Sequence, residues 1–153
     1  SSIDGIFNDF MSCKDNATER ASCKDFPARA ICTVYGINHL MTGDGSFVQY
    51  DEILGGLDMS KWEKVGPASD QSALDKAQAA ANEGRAAFAI DEGDQYGNIA
   101  IILAGQTTHS TKWGLDCPNS ASMFMAGHQY SYMNKGLNYA WKDNSDVFVY
   151  VRK

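Results

Sequence analysis

Apolar residues in this chain change their spacing near residue 85, and that change limits the folds open to it. Before it, they recur every three or four positions. After it, they come in short runs or alternate, bounded by Gly, Asp and Asn. A 3.6-residue period buries one face of a helix, and a two-residue period buries one face of a strand. Helices followed by a series of strands predict an α+β domain, with N-terminal helices packed on an antiparallel sheet.

Ile3, Ile6, Phe7, Phe10 and Met11 fall at helical spacing and predict a first helix ending near Cys13. A second is predicted over 22–37, capped by Ser22 and closed by Gly36. A third covers 47–54, and the Ala-rich stretch 70–83 makes a fourth that Gly84 stops. Strands are predicted at 62–65, 86–90, 98–104, 121–125, 137–141 and 147–151. No repeat or linker interrupts the 153 residues, so 1–153 reads as one domain.

The chain is 44% hydrophobic and 21% charged, a globular composition, with a formal net charge of −6. Lys and Arg are scattered without a basic run, which argues against nucleic acid as a partner. No apolar run approaches the roughly 18 residues of a membrane span. The opening Ser1-Ser2-Ile3-Asp4 lacks a methionine, as expected after removal of a leader or excision from a longer chain. The cysteines at 13, 23, 32 and 117 contain no CxxC pair, and His39, His109 and His128 lie far apart. Neither a metal nor any other cofactor is implied.

Projected at about 100° per residue, the second helix places Cys23, Phe26, Ala30, Val34 and Ile37 on one stripe. Asp25 and Arg29 share the narrow polar side as an i,i+4 ion pair. Cys23 thus falls on the buried stripe in the first turn, where partial positive charge favours a thiolate. Cys32 is about 13.5 Å further along the axis, beyond the roughly 7 Å that a disulfide spans. Cys23 is therefore a candidate nucleophile, a plain buried cysteine, or half of a disulfide with Cys13 or Cys117.

Read with the strands, the segment Ala21-Ser22-Cys23-Lys24-Asp25-Phe26 running to Tyr35-Gly36-Ile37 resembles the nucleophile segment of bacterial type VI secretion amidase effectors. Those belong with the NlpC-type and CHAP-type peptidoglycan hydrolases. Tyr96-Gly97-Asn98-Ile99-Ala100-Ile101-Ile102 stands where that family carries Tyr-Gly-His and an alternating strand. The resemblance implies a papain-like fold and a secreted cysteine amidase or endopeptidase acting in the periplasm or cell wall of a target cell. Cys23 would attack an amide of a peptidoglycan peptide stem through a thioester. A cognate immunity protein is the implied inhibitor.

The resemblance breaks at Asn98, because an amide cannot take the thiol proton near neutral pH. Asn98 implies a silenced enzyme, a degenerate relative, or a base recruited from His109 or His128. The alternative function is a non-catalytic module that binds peptide or peptidoglycan in the same cleft. With a base restored by Asn98→His, the resemblance predicts cleavage, and it places Asn98 beside the Cys23 sulfur.

Overall fold

The computed structural model describes residues 2–93 and 98–153. Tyr96 and Gly97 of the expected strand motif lie outside them. Helix α1 (Ser2–Asp15) buries Ile3 and Phe10, with Ile6, Phe7 and Met11 half-buried, as the spacing predicts. A 3-10 segment, Arg20–Asp25, follows and leads into α2 (Phe26–Tyr35).

The second helix therefore starts later than expected, at Phe26. Pro27 has no N–H to donate to the carbonyl of residue 23, so α-helical bonding cannot extend back through this turn. Cys23 itself leaves helical geometry, at φ −84° and ψ 19°. Ser22 does not cap α2; its hydroxyl donates to the Glu19 carbonyl at 2.7 Å. At the other end Gly36 takes φ 65° and closes the helix, as predicted. Asp25 and Arg29 form the expected ion pair at 2.9 Å.

A short 3-10 turn and α3 (Ile53–Gly56) precede β1 (Trp62–Pro67). Helix α4 (Gln71–Asn82) is capped by the Asp70 side chain, which accepts from the Ser72 N–H. The remaining strands are β2 (Ala87–Asp91), β3 (Asn98–Ile102), β4 (Thr108–Ser110), β5 (Leu115–Cys117), β6 (Asn119–Phe124), β7 (Tyr132–Gly136) and β8 (Val147–Arg152). Six of them form an antiparallel sheet in the order β1-β8-β2-β3-β6-β7, and β4 and β5 make a separate hairpin.

Side chains alternate between the two faces of this sheet. Ile99, Ile101, Phe88 and Met123 face α1 and α2, in one core with Phe10, Cys23 and Ile31. Ala100, Ile102, Ala89 and Val149 face α4, in a second core with Leu74, Leu137 and Trp141. Covered on both faces, β3 reads in sequence as an unbroken apolar run.

The strand expected over 137–141 does not form. Leu137–Tyr139 is a 3-10 turn in which Ala140 N–H bonds the Leu137 carbonyl. Leu137 and Trp141 are four residues apart, and one turn brings both into the second core. The strand lies just upstream, as β7, whose exposed Asn134 and Lys135 masked its alternation. Among the described residues, no helix is long and apolar enough to cross a membrane.

Candidate functional site

Cys23 is 1% exposed and bonded to Cys13, with Cα atoms 6.1 Å apart. Cys13 ends the apolar stripe of α1, and Cys23 begins that of the following turn, so packing the two stripes together juxtaposes the sulfurs. In this form Cys23 offers no thiol, and it precedes α2 rather than opening it. Of the alternatives open for this residue, the structure takes the disulfide with Cys13. Cys32 and Cys117 are free and buried. Burial pushes the Cys32 thiol up, and it pushes Cys117 up to about 11.

The expected meeting of Asn98 with Cys23 does not occur. Counting along β3, Asn98 shares the face of Ala100 and Ile102, whereas Cys23 lies on the opposite side with Ile99 and Ile101. Asn98 is 4% exposed and its amide is bonded at both ends: Nδ2 donates to the Ala140 carbonyl at 2.7 Å, and Oδ1 accepts from the Ser122 hydroxyl at 2.6 Å. A side chain at position 98 cannot serve the Cys23 sulfur through the sheet.

His109 sits on the exposed β4–β5 hairpin, paired with Asp116 at 2.8 Å, on a small sheet separate from the one that packs on α1 and α2. His128 pairs with Asp15 at 2.6 Å, tying the turn after β6 to the end of α1. Neither pair includes Cys23. Among the described residues no cluster of three or more metal-ligating side chains occurs.

Among the described residues, two clefts flank the sheet. The first, about 310 Å³, lies along the Arg20–Asp25 segment that carries Cys23 and is lined by Lys14, Arg20 and Lys24, with Tyr50 and Met125 as its apolar wall. None of the three cations has an ion pair among the described residues. Lys14 donates to the Arg20 carbonyl at 3.3 Å. Burial and, second, the charge of Arg20 lower the Lys14 pKa. Like charges gathered in one cleft of a net acidic chain favour an anionic occupant.

The second cleft, about 490 Å³, lies where Asn98 points and is lined by Lys112, Tyr130, Asn138, Tyr139, Trp141 and Lys142 among others. Its frame is held by two side-chain bonds to the 137–141 segment: Asn98 to the Ala140 carbonyl, and Trp113 Nε1 to the Trp141 carbonyl at 3.2 Å.

Sequence reasoning missed both clefts. The cations at 14, 20 and 24 look scattered until the turn at 16–19 folds α1 back toward α2. Tyr130 belongs to no periodic run, and that isolation was the available signal; Tyr139 alternates with Leu137 and Trp141 and so reads as core. No protein-family model matches this chain, and no curated protein matches it in sequence.

Proposed function

We propose that this chain is a secreted module that holds peptidoglycan peptide stems without cutting them, on a papain-like scaffold of the amidase-effector type. The Cys13–Cys23 bond carries the proposal: the residue that would attack the amide has no thiol, and the residue in the place of its base is committed on the other face of the sheet. The cleft along the Cys23 segment supports binding, because Lys14, Arg20 and Lys24 suit the carboxylates of a peptide stem. A disulfide that persists also suits an oxidising location such as the periplasm or cell wall of a target cell. A cognate immunity protein in the producing cell belongs to the same proposal.

Hydrolysis is the second reading, favoured by one observation. Ala21 and Lys24, on either side of Cys23 in the chain, line the cation-rich cleft. Neighbouring cations would stabilise a Cys23 thiolate once the disulfide is reduced.

Incubating purified peptidoglycan sacculi with the oxidised and the dithiothreitol-treated chain tests both readings. Co-sedimentation of the oxidised chain, with no muropeptide released, is expected. Release by the oxidised chain overturns the binding proposal. Release only after reduction, lost in Cys23→Ser, establishes a latent hydrolase.

A further inference from the structure

The cleft on the α4 side of the sheet combines features that no core position needs. Tyr130 and Tyr139 are 71% and 64% exposed, and they share one cleft rather than lying scattered singly over the surface. Both line the cleft, with Trp141 in the same wall. Lys112, Asn138 and Lys142 line it as well; the Asn138 amide oxygen lies over Gly136, and neither lysine makes an ion pair or hydrogen bond among the described residues. The Lys135 ammonium lies 5.4 Å from the Tyr139 ring centroid, so exposed cations and the remaining aromatic surface converge on one concavity within the ~300–1,000 Å³ range of small-molecule sites.

These groups select a chemistry. Flat aromatic faces pack against the C–H faces of a pyranose ring, while phenol hydroxyls reach its equatorial hydroxyls. Two ammonium groups add a preference for negative charge, in a chain whose net charge is −6. The segment bearing Asn138, Tyr139 and Lys142 is pinned by Asn98 and Trp113, so the donors are held in place before a ligand arrives.

We infer that this cleft is a saccharide-binding site for a sugar bearing a carboxylate, with Tyr130 and Tyr139 as stacking faces and Lys112 and Lys142 as the carboxylate's partners. Asn98 acts as a positioning residue, holding the segment that carries the site. The site is separate from the Cys23 cleft and stands whether or not that cleft holds peptide stems.

Titration of the native chain with N-acetylmuramic acid and with N-acetylglucosamine, followed by amide chemical shifts and tyrosine fluorescence, tests the site. The two sugars differ by a lactyl carboxylate. Saturable binding is expected, about fivefold or more in favour of the acidic sugar at low salt, with the preference shrinking at about 0.5 M salt. Tyr139→Ala should weaken both sugars about tenfold, the usual scale for losing a stacking ring. Lys112→Gln with Lys142→Gln should abolish the preference and leave the neutral sugar bound. Unchanged urea midpoints in these exposed-residue variants separate loss of binding from loss of fold. Equal binding of both sugars, no saturation by about 50 mM, or an unaffected Tyr139→Ala would overturn the site, since a millimolar-range constant already means only about −4 kcal/mol. Displacement of the sugar by the tripeptide L-Ala-γ-D-Glu-diaminopimelate, with the same sensitivity to Tyr139→Ala, would overturn it in favour of a peptide site.

Discussion

Ser122 donates its hydroxyl proton to the side-chain oxygen of Asn98 at 2.6 Å, across the β3–β6 pair and on the face turned away from Cys23. Both residues are buried, so each depends on the other to satisfy a polar atom removed from water. Asn98 spends its amide nitrogen on the Ala140 carbonyl. An asparagine here meets a structural demand for one donor and one acceptor, which neither aspartate nor alanine meets.

Asn98→Ala should therefore cost about 1–3 kcal/mol, because it leaves the buried Ser122 hydroxyl without this acceptor and the half-buried Ala140 carbonyl without its donor. Asn98→Asp should also destabilise, since a carboxylate cannot donate to the Ala140 carbonyl. Urea unfolding measures both. Asn98→His should release no muropeptides from sacculi, with or without reductant, because the ring would project away from Cys23. Turnover gained by that variant would show that position 98 does reach the sulfur.

Reducing the Cys13–Cys23 bond should lower stability by roughly 2–3 kcal/mol, the loop-closure contribution of so short a loop. A double Cys13→Ala, Cys23→Ala variant should lose a similar amount and become indifferent to dithiothreitol. Thermal unfolding of the four samples checks this. Equal stability before and after reduction of the parent would mean that the bond constrains nothing.

Iodoacetamide should leave the unreduced native chain almost unlabelled at pH 8. Cys13 and Cys23 are bonded to each other. Cys32 and Cys117 are buried, and with a pKa of about 11 Cys117 is thiolate in only about one molecule in a thousand at that pH. After mild reduction, the half-buried Cys13 should label before the buried Cys23, Cys32 and Cys117. Peptide mass mapping gives the order directly.

Stability should fall as pH rises above about 9. Burial raises the folded-state pKa of Cys32, Cys117, Tyr35 and Tyr132, so the native chain keeps protons that the unfolded chain releases. That contribution is fully present below the unfolded values and is lost as pH climbs through the folded ones, for Cys117 between about 9 and about 11. Urea midpoints at pH 7, 9 and 10 should decrease in that order.

His109→Ala should change stability by less than about 0.5 kcal/mol, because its pair with Asp116 is exposed on both sides. It should leave sacculus binding unchanged. A loss of binding would place the β4–β5 hairpin within the binding surface.

Periodicity sufficed for these elements: the α1 stripe, the α4 run, the Gly36 stop and the strands β1, β2, β3, β6 and β8 all follow from local spacing and local hydrogen bonding. The i,i+4 pair Asp25–Arg29 was legible for the same reason. Local pattern failed where tertiary packing chose between options of similar local cost. Pro27 moved the start of α2, and the second core wound Leu137–Tyr139 into a turn. The site depended on packing most of all. Which cysteine meets Cys23 is set by how α1 folds back on the next turn, and which core Asn98 faces is set by the register of β3 in the sheet. A shift of one residue in a strand exchanges its faces, and no spacing within the strand records which face will meet which helix.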